Sequence, residues 1–215
     1  MWNKAEWLQI LAIGRPAGRR GRSINRERED TMHCNILAGT LGTVAFMLLG
    51  AHANAADFSA TFSGFEEIGG LGAGETGAIF SPGKATLDLD LNRKTQTIKF
   101  KLTYSGFPST STVTQAHIHF AKVHVAGGII VFFCSNVGGG PKGTPACPTP
   151  NGTVKGTITT ASVIGPAAQN VNPGDFGALV AALDSNTAYG NIHTVNFPAG
   201  EIRGQILKGE ELGRD

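Results

Sequence analysis

The sequence predicts an all-β fold: a Greek-key β-sandwich or barrel of about eight strands with one short helix. Three observations predict it. Short stretches alternate apolar and polar residues with a period of two, the pattern of a strand with one dry face and one wet face. Thirty glycines and ten prolines punctuate those stretches, supplying the turns that join strands. Only one segment carries helical spacing. The 215 residues are 41% hydrophobic and 16% charged, too apolar for a disordered chain. The glycines follow no three-residue period, which excludes a collagen-like helix.

In chain order, the first element is a leader. Residues 1–31 are a polar, Arg-rich extension, and Met32 offers an alternative start just before an apolar run. That run, Ile36 to Gly50, has no charge. It is shorter than the roughly 20 residues a membrane span needs and fits the apolar region of a secretory signal. Ala53-Asn54-Ala55 reads as an A-x-A cleavage site, in competition with Ala51-His52-Ala53. A signal peptide over 32–55, cleavage after Ala55, and a secreted or periplasmic product with no stable membrane span are expected. Arg19-Arg20 lies too far from the apolar run for a twin-arginine signal.

The leader also locates the charge. Residues 1–55 hold seven basic and four acidic residues, and the rest of the chain eleven and twelve. The basic pI of about 8.5 therefore belongs to the leader, and the expected domain at 56–208 has no electrostatic reason to bind nucleic acid. Residues 209–215 read as a polar tail. Of three cysteines, Cys34 falls in the leader, which leaves Cys134 and Cys147. In an oxidising compartment this even pair predicts a disulfide. The alternative, two thiolate metal ligands, lacks a C-x-x-C spacing.

Within the domain, Asp57–Gly64 is the first strand candidate. Ala85, Leu87, Leu89 and Leu91 alternate with Thr86, Asp88 and Asp90, and Ile98, Phe100, Leu102 and Tyr104 alternate with Lys99, Lys101 and Thr103. Asn92 to Thr95 between them predicts an antiparallel hairpin whose wet face sets aspartates opposite lysines. Such exposed pairs contribute a few tenths of a kcal/mol each and mark a solvated face. Further strands are expected at Val113–Phe120, Gly128–Cys134, Gly152–Thr159, Ala188–His193 and Glu201–Leu207. Phe176, Leu179, Val180 and Leu183 stand at i, i+3, i+4 and i+7, which predicts a helix over Phe176–Leu183 capped by Asp175.

Phosphate loops, G-x-S-x-G and H-E-x-x-H are absent from the sequence, and no acid/base carboxylate pair stands out. The histidines do. His117-Ile118-His119 puts two imidazoles on one face of a strand, because side chains two apart point the same way. Imidazole suits copper and zinc. His193 becomes a third ligand if the fold brings it there, and His124, in the loop after the strand, is an outside candidate. Ring nitrogens about 3–4 Å apart would share a metal at bond lengths of about 2 Å, whereas a separation beyond about 8 Å would mark structural histidines. Arg203 is expected to pair with a carboxylate such as Glu201 or Asp175, or with an anionic ligand. Asn191 is a turn or cap candidate, or an orienter of an imidazole.

Several of these residues lie in motifs that resemble a known family. Thr114-Gln115-Ala116-His117-Ile118-His119 resembles the signature strand of the CHRD (chordin) domain. Tyr189-Gly190-Asn191-Ile192-His193-Thr194 and Phe197 through Gln205 resemble its closing motif, and Leu102 to Phe107 fits the segment before the His strand. The resemblance covers roughly Asp57 to Leu207, and the Cys134–Cys147 insert is similar to a bacterial branch. Gly190 departs from it, since a larger residue is expected beside the tyrosine. The resemblance implies a β-sandwich of an extracellular protein. A looser likeness to copper/zinc superoxide dismutase rests on the H-x-H strand, the late histidine and Gly200-Glu201-Ile202-Arg203.

Three functions follow as expectations. The first is a secreted or periplasmic binding module with a copper or zinc site on the His-Ile-His strand. The second is a metal-free structural or adhesion module that meets an envelope or extracellular protein. The third is a copper-dependent dismutase-like enzyme.

Overall fold

A computed structural model describes residues 56–68 and 77–209. The expected extension, signal segment and cleavage site, and nearly all of the polar tail, lie outside the described residues. Two antiparallel sheets stack face to face. The first has strand order β6-β3-β2-β1-β9 and the second β5-β4-β7-β8. The strands are β1 Phe58–Phe62, β2 Lys84–Asn92, β3 Thr97–Ser105, β4 Val113–Phe120, β5 Gly128–Ser135, β6 Gly152–Ile158, β7 Ala188–Thr194, β8 Ile202–Gln205 and β9 Leu207–Lys208. The sheets do not close into a barrel, so the sandwich is the form adopted.

The period-two segments form the first sheet. Leu87, Leu89, Ile98, Leu102 and Tyr104 are essentially fully buried, and they meet Ile118, Ile130, Phe133, Ile192 and Ile202 from the second sheet in one core. The hairpin register sets Asp88 against Lys101 and Asp90 against Lys99. Asp175 caps helix α1, Phe176–Asp184, by accepting from the Ala178 backbone N–H at 2.9 Å. The helix turns Phe176, Leu179 and Leu183 into the core.

The single expected strand over 201–207 is two strands in different sheets. β8 pairs with β7, whereas β9 pairs with β1. Ile206, fully buried between them, donates its N–H to the Ala188 carbonyl at 2.9 Å. The chain changes sheets at this corner, a bend that a run of apolar alternation does not reveal. Gly190 also acquires a reason. It faces the other sheet, and a Cβ there would run into the Phe62 ring. The large group missing beside Tyr189 is supplied by Phe62 of β1.

Cys134 and Cys147 form the expected disulfide across 13 residues. Cys134 leaves the end of β5, and the bridge closes the Gly/Pro-rich loop back onto the core.

Candidate metal centre

The second sheet has two faces, and the strand period divides them. Ala116 and Ile118 of β4 and Ile192 of β7 point into the sandwich. His117, His119, Tyr189, Asn191 and His193 therefore occupy the opposite face. Pairing places His119 opposite Tyr189, His117 opposite Asn191, and Gln115 opposite His193. His193 is thus the diagonal neighbour of His117, a distance that ring side chains bridge. Two register shifts between β4 and β5, at Ala116/His117 and Ile118/His119, bend the strand where the histidines sit.

This outer face is covered. His117 and His193 are 1% and 7% exposed, although sheet alternation alone would leave them wet. The His117 ring stands 4.5 Å from His119 and 4.6 Å from His193, centroid to centroid, with Phe132 edge-on at 5.2 Å. One ligand atom from each histidine lies within 4.8 Å of the others, just outside the separation of about 3–4 Å between two nitrogens on one metal. His193, distant in sequence, joins the pair because β7 hydrogen-bonds to β4.

Backbone carbonyls orient two of the three rings. His119 Nδ1 is 2.8 Å from the Gly127 carbonyl oxygen, and His193 Nδ1 is 2.9 Å from that of Pro198. A carbonyl only accepts, so each Nδ1 carries the proton and each Nε2 keeps its lone pair. His119 Nε2, His193 Nε2 and both ring nitrogens of His117 are buried without a hydrogen-bond partner. Leaving such an atom unpaired costs on the order of 1–3 kcal/mol.

The electrostatics keep the triad neutral. Burial pushes His117 well below the ordinary imidazole value, and His119 and His193 push it the same way. His119 is lowered to about 4, chiefly by burial; the Gly127 carbonyl works against that shift, and His193 and Arg203 reinforce it. Burial also lowers His193, against the Pro198 carbonyl and the nearby Glu67 charge. Neutral imidazole is the form that binds a metal.

The other sequence candidates go elsewhere. His124 is exposed in the loop after β4, with its Nε2 3.8 Å from Glu66 Oε2, and is not part of the triad. Arg203 makes no ion pair with Glu201 or Asp175 among the described residues. Its guanidinium donates to the carbonyls of Val125 at 3.1 Å and Lys122 at 3.4 Å, and its Cζ lies 3.4 Å over the Tyr189 ring. Glu201 instead accepts from Ser81 Oγ at 2.6 Å and from Thr194 Oγ1, and Asp175 is the helix cap. The register explains the difference. Arg203 faces Asn191 on the outer side of the sheet, under the loop that follows β4, whose carbonyls take its hydrogen bonds, while the Glu67 and Glu66 charges act on it through space. Asn191 is neither a turn nor a cap. It is buried in β7 and donates from Nδ2 to Glu67 Oε2 and to the Ile202 carbonyl.

Three participants had no signal of their own in the sequence. Glu67, 3% exposed, brings a carboxylate toward His193 and Arg203. Gly127 and Pro198 act through carbonyl oxygens, which every residue has, so composition cannot single them out.

A family model described as CHRD domain matches residues 58–206. No curated protein and no solved structure matches the chain.

Proposed function

The chain belongs to the CHRD domain family, and from that premise we propose that it is a secreted or periplasmic binding module that holds a copper or zinc ion on His117, His119 and His193. The observation that carries this reading is a set of three imidazoles from two strands with one ligand atom each within 4.8 Å of the others, all of them with buried ring nitrogens that lack a partner. A shared metal removes the cost of the lone pairs that face it. Two of the rings already have their second nitrogen held by a carbonyl, the support that metal-bound histidines use. The neighbouring Glu67 carboxylate offsets part of the charge a divalent ion would bring. A disulfide in the same domain fits an oxidising compartment, and no helix among the described residues is long and apolar enough to cross a membrane.

The test is titration of Cu(II) and Zn(II) into the purified protein, with elemental analysis of protein from its native compartment. We expect one ion per chain for the wild type. A His117→Ala/His119→Ala variant should lose binding; unchanged affinity in that folded variant overturns the reading.

One observation favours an adhesion role, though not the absence of metal. Phe65 and Phe80 are 67% and 92% exposed and meet edge to face at 6.3 Å, the kind of aromatic anchor that protein partners use. A Phe65→Ser/Phe80→Ser variant that loses attachment to an envelope fraction while keeping its metal would support that role as a separate one. The dismutase-like reading gains no such support, because the Arg203 fork is spent on two loop carbonyls.

A further inference from the structure

We propose that Arg203 and Tyr189 are positioning residues for the metal centre, acting together to fix the direction of His119 Nε2. The inference rests on the metal reading above and adds to it the part of the fold that presets one ligand.

The geometry is a three-layer stack with a loop tied to both ends. The His119 and Tyr189 rings are parallel to within 3°, with centroids 4.6 Å apart. The Arg203 guanidinium lies on the Tyr189 ring at 3.4 Å. In the sheet, His119 is opposite Tyr189 on one side of β7, and Arg203, opposite Asn191 on β8, is the diagonal neighbour of Tyr189 on the other side, so the stack runs along the outer face. A second path reaches the same histidine. Arg203 donates to the Val125 and Lys122 carbonyls and so pins the loop between β4 and β5. Farther along that loop, Gly127 donates its N–H to Tyr189 Oη at 3.3 Å and accepts from His119 Nδ1 at 2.8 Å. A Cβ on Gly127 would run into the Phe120 carbonyl, so the peptide can take this place only with glycine.

Ring plane and ring rotation of His119 are thus set by separate contacts, and both depend on Arg203. A guanidinium can stack and fork at once, which an ammonium cannot. His193 is held independently, by Pro198. Loss of Arg203 should therefore disturb one ligand of three and leave the others in place.

The test compares wild type, Arg203→Met, Arg203→Lys, Tyr189→Phe and His193→Ala by Cu(II) affinity and by the electron paramagnetic resonance spectrum of the copper-loaded protein. Loss of an outer partner of a metal ligand costs about 10–100-fold in affinity, and we expect that range for Arg203→Met with altered copper hyperfine splitting. Arg203→Lys should recover little, because it cannot fork. Tyr189→Phe removes a single oxygen and keeps the stack, so it should fold as the wild type does and show a smaller loss with the same direction of spectral change. If Arg203→Met and Tyr189→Phe both keep wild-type affinity and spectrum while His193→Ala loses metal, the positioning role is overturned and the metal centre stands. If the wild type itself takes up no copper, both are overturned.

Discussion

His117 shows how much one residue depends on the two strands around it. On β4 it alternates outward, yet it is 1% exposed, with both ring nitrogens lacking a partner. An imidazole in that state resists protonation, and so do its two neighbours. The consequence for metal uptake is a change in its acid limit. Ordinary histidines lose metal affinity as pH falls through about 6.5. Here all three imidazoles are held below that value, His119 to about 4, so the acid limit of uptake should lie below pH 6.5. Competition with a chelator of known pH dependence, run at each pH, measures it; a decline centred near pH 6.5 would count against a buried triad. The pair at 117 and 119 was legible from its spacing alone. Its reach to His193 was legible only as a condition, because no local pattern states which strand lies beside β4.

At the scale of elements, local rules performed well wherever a segment had one wet face. The β2–β3 hairpin has the register its charges imply, and α1 begins at the cap that Asp175 provides. Removing that cap by Asp175→Ala should cost about 1 kcal/mol, read as a lowered midpoint in urea with an unchanged slope. The rules failed at the corner after Gln205. There Ile206 is buried and β9 passes to the other sheet, because an apolar residue is equally content in either layer. Arg203 failed for a related reason. Its sequence neighbours offered carboxylates, whereas its hydrogen-bond partners across space are the carbonyls of Lys122 and Val125. The disulfide needed only the cysteine count and the expectation of an oxidising compartment. Replacing both cysteines by serine should remove about 3 kcal/mol of stability on the chain-entropy estimate for a loop of this length; thermal unfolding of the variant beside the wild type measures it.

For the whole molecule, the same histidines couple folding to acidity. In the unfolded chain they take up protons near pH 6.5, and in the folded chain only at lower pH, about 4 for His119. Between those limits the unfolded state holds more protons, so stability falls as pH drops through that window. Their contribution is complete above about pH 6.5 and lost by the time the folded groups protonate. Metal-free protein should therefore melt at progressively lower temperature from pH 7 to 4, and bound metal should raise the melting point most at the neutral end. A His117→Ala/His119→Ala variant with the same acid slope as wild type would contradict this origin.

Sequence by itself determined the all-β class, nearly every strand, the helix and its cap, the cysteine pair, and the His-Ile-His strand as the place to look for chemistry, and left sandwich or barrel to the tertiary structure. These follow from period, punctuation and composition, which act over a few neighbouring residues. Tertiary structure alone decided that His193 completes the triad, that His124 does not, and that Arg203 braces a loop instead of pairing with Glu201. It also brought in Glu67, Gly127 and Pro198. The physical reason is common to all of these. Strand order, the covering of the outer sheet face and the aim of a backbone carbonyl are set by contacts between residues far apart in the chain. Patterns read along the chain carry no record of those contacts.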